Sequence, residues 1–222
     1  MSRQLTFDLP LREALGREDF MVSPANALAV EALSGWRDWP GGRMLLIGPE
    51  GAGKTHLAHV WAADTQAMMV SGSGLDGHDL PGLAALTAVT VEDADRIATR
   101  ADENALFHLH NMVAAQGGRL LLTARSPVRD WRLGLADLVS RVQAMPVTRL
   151  EPPDDALLAA VLVKLFSDRQ IAVAPTLVPY LISRMDRSFA AARALVARLD
   201  EQALAEGRPV TRALAATVLD GA

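Results

Sequence analysis

The sequence predicts an α/β domain with a parallel five-stranded sheet flanked by helices, followed by a small all-helical lid. Three observations carry that expectation. Five short apolar runs, at 44–47, 67–70, 88–91, 120–123 and 142–147, are mostly separated by helix-compatible stretches. Strands buried on both faces read as continuous apolar runs, and such strands belong to parallel sheets. A glycine-rich octapeptide, Gly48-Pro49-Glu50-Gly51-Ala52-Gly53-Lys54-Thr55, directly follows the first run. Finally, Glu151-Pro152-Pro153-Asp154 ends the alternation, and every segment after it reads helical.

The elements follow in order. Leu5, Phe7 and Leu9 alternate before Pro10, and a polar stretch leads to Asp19. Ser23 is a candidate N-cap with Pro24 at the first helical position of a helix running to about Trp36. Trp39-Pro40-Gly41-Gly42 is a turn, and Trp36 and Trp39 read as packing residues beside the first strand. A helix follows the octapeptide from Lys54 to about Ala63, and Met68-Met69 reads as core. Further helices are expected at 103–116 and 134–139. On the first of these His108 and His110 are two apart and point away from each other. Behind the Pro-Pro pair, helices are expected at 154–170, 175–185, 188–206 and 211–219, each opening on Asp, Pro, Ser or Thr. The expected division is a tail at 1–17, an α/β domain at 18–150 and a helical lid at 151–222.

The chain has 222 residues, half of them apolar and 22% charged, which supports a sizeable core and excludes a disordered chain. It has no cysteine, so neither a disulfide framework nor a thiolate zinc site is available. No apolar stretch approaches the roughly 20 residues of a membrane span, and the polar start Met1-Ser2-Arg3-Gln4-Leu5 is unlike a secretion signal. A cytoplasmic protein without a membrane partner is expected. The net charge of −4 does not favour nucleic-acid binding over the whole surface. DNA contact would need a local patch, such as Arg125, Arg129 and Arg132, or would go through a partner protein. Of 22 basic residues only Lys54 and Lys164 are Lys.

The octapeptide satisfies G-x-x-x-x-G-K-[ST], the loop that cradles phosphates between a buried strand and a helix. Gly51, Ala52 and Gly53 would present backbone N–H groups to a nucleoside di- or triphosphate, with Pro49 lining the loop, helped by the dipole of the following helix. Lys54 would reach the β/γ-phosphates and the Thr55 hydroxyl would ligate Mg²⁺. Glu92-Asp93, at the end of the third run, offers the acids that hold Mg²⁺ and polarise water. The order is inverted from the usual Asp then Asp or Glu, which makes the metal-holding Glu92 long and the water-positioning Asp93 short. Thr123, at the tip of the fourth run, is either a γ-phosphate sensor or a strand Thr chosen for β-propensity.

Gly-x-x-Gly-x-Gly-Lys-Thr-His-Leu at 48–57, Leu-Leu-x-x-Arg-x-Pro at 121–127, Ser140-Arg141-Val142 and Glu-Pro-Pro-Asp at 151–154 occur in that order. Together they resemble the AAA+ module of the bacterial replication initiator DnaA, over about residues 18–206. Phe20-Met21-Val22-Ser23-x-x-Asn26 is similar to the family's adenine-side motif, so the resemblance implies that Val22, Asn26 and His56 contact ADP or ATP. It also implies an arginine finger at Arg141, which otherwise reads as a surface arginine opening the last strand. Arg187 falls where the family's lid arginine contacts nucleotide in cis, although Ser188 beside it is a candidate helix cap.

Two further features point to a subfamily. The chain ends at Ala222, where the initiator would continue into a helix-turn-helix domain. Gln4-Leu5-Thr6-Phe7-Asp8-Leu9 resembles the short peptide that enters the groove of the replicative sliding clamp, with Gln4, Leu5, Phe7 and Leu9 as its contacts. The alternative for this segment is an N-terminal edge strand or a frayed tail. The resemblance implies a regulator of DnaA that works from the DNA-loaded clamp, with the initiator and the clamp as partners and DNA reached through the clamp. A stand-alone ATPase of the helicase-loader type, a recruiting scaffold and a homo-oligomer remain alternatives.

Overall fold

The computed structural model describes residues 21–220, so Gln4, Leu5, Phe7 and Leu9 lie outside the described residues. Five strands, β1 (Arg43–Ile47), β2 (Met68–Ser71), β3 (Ala88–Glu92), β4 (Arg119–Ala124) and β5 (Val147–Arg149), form one parallel sheet in the order β2-β3-β4-β1-β5. β1 lies between β4 and β5, with Leu46 opposite Thr123 on β4 and Leu45 opposite Val147 on β5.

Alternation along β1 divides the core into two layers. Leu45 and Ile47 pack with Leu120 and Leu122 against α4 (Arg100–Ala115) and α5 (Ala136–Gln143), through Leu106, Leu109, Leu138 and Val142. Met44 and Leu46 face the other side, against α1 (Ala27–Ser34) and α2 (Lys54–Thr65), through Leu33, Leu57 and Trp61. Trp39 stacks on Trp61 at 5.2 Å, the packing role expected of it. Each fully buried Leu contributes about 1.5–3 kcal/mol, so both helical layers are held chiefly by apolar burial. A short α3 (Leu80–Ala84), capped by Asp79, precedes β3.

Behind β5 come α6 (Asp155–Asp168), α7 (Leu177–Ile182), α8 (Phe189–Glu206) and α9 (Arg212–Asp220). They share a separate core that includes Leu162, Phe166, Leu181, Leu195 and Leu214. Two caps fix where these helices begin. The Asp154 carboxylate accepts from the Leu157 N–H at 2.7 Å, and the Ser188 hydroxyl from the Ala191 N–H at 3.0 Å.

Three expectations need correction. Residues 142–147 are not one strand. Leu138 and Val142, four apart, bury one face of α5, and Pro146 cannot continue a helix, so the chain turns extended only at β5. Ser23 does not cap α1. Its hydroxyl takes the N–H of Ala25 and its own N–H goes to Asn26, a local turn that competes with helix and delays it to Ala27. Met68 is 51% exposed on the edge strand β2 and is not core.

Candidate nucleotide site

The glycine-rich loop joins β1 to α2 at the carboxyl edge of the sheet. Gly51 and Gly53 adopt φ of 74° and 96°, conformations that cost an L side chain but not glycine. Pro49 is exposed, while Ala52 is buried with the α1/α2 core. Lys54 opens α2 and is buried. Its Nζ donates to the carbonyls of Gly48 at 2.7 Å and Pro49 at 2.9 Å, closing the loop on itself. Burial holds the ammonium's pKa below its usual value; Asp93 opposes that shift and Arg125 adds to it. Thr55 is exposed and His56 half-buried on the first turn of α2.

The acidic pair ends β3, and β4 lies between it and β1, so Thr123 sits between loop and acids as expected. Thr123 is buried, and its Oγ1 accepts the Asp93 N–H at 3.0 Å. That bond holds Asp93 in a left-handed conformation with φ of 49°, and its carboxylate lies 3.6 Å from Arg96. Glu92 Oε1 is buried without a hydrogen-bond partner. An exposed hydroxyl at Thr55 and an unspent carboxylate oxygen at Glu92 suit Mg²⁺. That ion takes one or two protein ligands and completes its shell with phosphates and water. Among the described residues no group of three or more His, Cys, Asp or Glu gathers to hold a cation without them.

Glu50 and Asp95 join this edge unforeseen. Arg125 Nη1 lies 2.6 Å from Glu50 Oε2, and the Arg125 N–H donates to Asp95 at 2.9 Å. The Leu-Leu-x-x-Arg-x-Pro stretch named Arg125 but not its partners, which are distant in sequence. An arginine weighed for DNA contact is thus paired beside the loop, and Arg129 lies 3.7 Å from Asp130.

The lid also reaches the loop. The Phe189 N–H donates to the Gly51 carbonyl at 2.9 Å. A Cβ on Gly51 would stand 2.5 Å from that of Ser188, and one on Gly53 would stand 3.0 Å from the Phe189 ring. Neither contact was signalled by the motif. Arg187, beside them, is exposed and 2.8 Å from Asp155 on α6. Val22 is 61% exposed. Asn26 is buried and spends its side chain on backbone, donating to Met21 O at 2.8 Å and accepting from Ser23 N–H at 2.9 Å. It therefore shapes the 21–23 segment.

Arg141 lies apart from all of these. It is on the last turn of α5, not at a strand start, and its guanidinium sits 5.4 Å from the Phe107 ring centre. It lines a pocket with Arg43, which opens β1, and Pro146, which precedes β5. That is the amino edge of the sheet, about 15 Å along β1 from the loop.

No known protein family's profile matches the chain. Among solved structures, domain III of the replication initiation protein DnaA from Thermotoga maritima superposes with a TM-score of 0.82 at 19% identity, over 96% of this chain and 98% of that one. AMPPCP-bound DnaA from Aquifex aeolicus gives 0.70 at 15% identity, over 86% of this chain and 67% of that one. The RuvB Holliday junction branch migration motor of Thermotoga maritima gives 0.63 at 19% identity, over 87% and 65%. At such identities the likeness shows the fold. The chain has the AAA+ fold, a phosphate-loop α/β module on a parallel five-stranded sheet with a C-terminal helical lid.

Proposed function

We propose that this chain is a regulatory AAA+ protein of the Hda type, which promotes ATP hydrolysis by the replication initiator DnaA. Its own site holds ADP or ATP. The loop N–H groups of residues 51–53 and Lys54 contact the phosphates with Pro49 lining the loop, Thr55 and Glu92 hold Mg²⁺, and Thr123 and Asp93 face the terminal phosphate. His56, Val22 and the segment shaped by Asn26 contribute to the nucleotide's surroundings, and Arg187 leaves Asp155 to meet the nucleotide from the lid. Gln4, Leu5, Phe7 and Leu9 tether the protein to the sliding clamp on DNA, in the cytoplasm.

The observation that carries the reading is Arg141. It is exposed at the amino edge, too far from its own phosphate loop to act there, which suits a finger that works on a neighbour's nucleotide. The inverted acids support feeble hydrolysis in this chain. Asp93 is short, left-handed and beside Arg96, and misplacement by about 1 Å costs on the order of 100-fold in rate.

The test is reconstitution: ATP-bound DnaA, clamp-loaded DNA and this chain, with phosphate release followed over time. Acceleration that requires both the clamp and the 1–17 segment is expected. Brisk hydrolysis by this chain alone, lost in Asp93→Asn, would favour an autonomous ATPase. Nucleotide-independent bridging of DnaA and clamp, without acceleration, would favour a scaffold.

A further inference from the structure

The pocket at the amino edge takes no part in nucleotide binding at the opposite edge. Its cavity is about 130 Å³, roughly ten times what a single water needs on the same measure. Pro40, Met145 and Pro146 form its apolar wall, and Arg43, His110 and Arg141 supply its polar side chains from three elements, β1, α4 and α5.

Two of the three groups hold buried nitrogens without hydrogen-bond partners, and Arg141 is exposed beside the Phe107 ring. His110 is 3% exposed, and neither ring nitrogen has a hydrogen-bond partner. Arg43 Nε is buried and unpartnered as well. Among the described residues no ion pair engages either guanidinium. The Arg43 guanidinium is disfavoured by burial and then by the charge of Arg141. His110 is kept neutral to about pH 4 by burial first and by Arg43 next; the Asn111 side chain, a hydrogen-bonding neighbour outside ideal geometry, opposes this, and Arg141 adds to it. Buried polar groups left unpaired are rare because they are costly, and two like charges over a neutral imidazole add to the cost.

We propose that Arg43, His110 and Arg141 form a receptor for one compact oxyanion, a phosphoryl group. Every unsatisfied group named here is a donor or, as neutral imidazole, carries one N–H. Guanidinium forks match phosphate oxygens, and three donors converging from three elements suit a tetrahedral anion better than a two-oxygen carboxylate. The phosphoryl group comes either from free phosphate or from nucleotide on a docked AAA+ partner. In the second case the inference rests on the finger reading of Arg141 and makes Arg43 its second cation.

The experiment keeps the phosphate loop filled with ADP and titrates the protein with inorganic phosphate at constant pH and ionic strength. The His110 imidazole resonances are followed by NMR. A saturable shift is expected, with affinity reduced about tenfold or more in Arg43→Gln and, separately, in the surface variant Arg141→Gln, while ADP affinity is unchanged. A second arm replaces phosphate with DnaA carrying a non-hydrolysable ATP analogue. A His110 shift there assigns the anion to the partner's nucleotide, and a shift with phosphate alone assigns it to the free ion. No saturable shift in either arm, or a shift that survives both substitutions, overturns the proposal. If that happens while Arg141→Ala still abolishes stimulation of DnaA, the pocket fails and the functional reading stands.

Discussion

At the carboxyl edge of the sheet, Lys54 feels Asp93, Asp95 and Glu50, and Arg125 is paired with Glu50. At the amino edge, Arg43 and Arg141 converge on His110 with no carboxylate between them. The two edges gather cations at opposite ends of β1, but only the first compensates them within the chain. A compensated site folds quietly and exchanges internal partners for a ligand. An uncompensated one keeps its electrostatic strain until something anionic arrives from outside.

The contrast can be broken in several places. The largest effect is expected at Arg141. Arg141→Ala should retain nucleotide and clamp binding but lose stimulation of the initiator by roughly 10³-fold or more, read as phosphate release. Unimpaired stimulation would return Arg141 to an ordinary surface residue.

Next is the pH response of the amino edge. His110 titrates near 4 in the folded chain but near 6.5 once unfolded. Between those values the unfolded chain binds more protons, so stability falls as pH drops from 6.5 to 4, by up to about 3 kcal/mol. Urea titrations at pH 7, 5.5 and 4 should show that slope reduced in His110→Leu. An identical slope in both proteins would mean His110 is not held neutral by its surroundings.

Lys54→Ala should weaken ADP by about 1.5–3 kcal/mol, the value of charge-assisted contacts, in calorimetry. Unchanged affinity would remove the phosphate-loop role. The smallest effect is expected from Gly51→Ala, which combines a left-handed φ with a Cβ 2.5 Å from Ser188. It should lower stability by about 1–2 kcal/mol in thermal unfolding, because the Ser188 backbone must shift. A neutral result would show that the lid gives way freely at that point.

The sequence made the carboxyl edge readable because its chemistry is contiguous: strand, glycine loop, Lys54 and Thr55 follow one another, and Glu92-Asp93 closes an apolar run. The amino edge was not readable. Arg43 and His110 belong to β1 and α4, and only sheet pairing brings them to Arg141. The run at 142–147 hid a change from helix to strand because its apolar residues serve α5 first and β5 after Pro146. Gly51 and Gly53 were read as phosphate-facing, yet their missing side chains also make room for Ser188 and Phe189, a contact across the Pro-Pro junction that no local pattern announces.

The Phe189 N–H bond to the Gly51 carbonyl has a mechanical side. It fastens the root of α8 to the loop, and α8 has 18 residues, making it a rod about 27 Å long. Any rotation at that root is amplified along the rod: ~10° would carry the far end through about 5 Å. If nucleotide moves α8, linkage makes the coupling reciprocal: a protein gripping the end of α8 would alter nucleotide affinity by the same factor with which nucleotide alters its grip. Paired spin labels on α8 and on β4, read with and without ADP, would measure that lever.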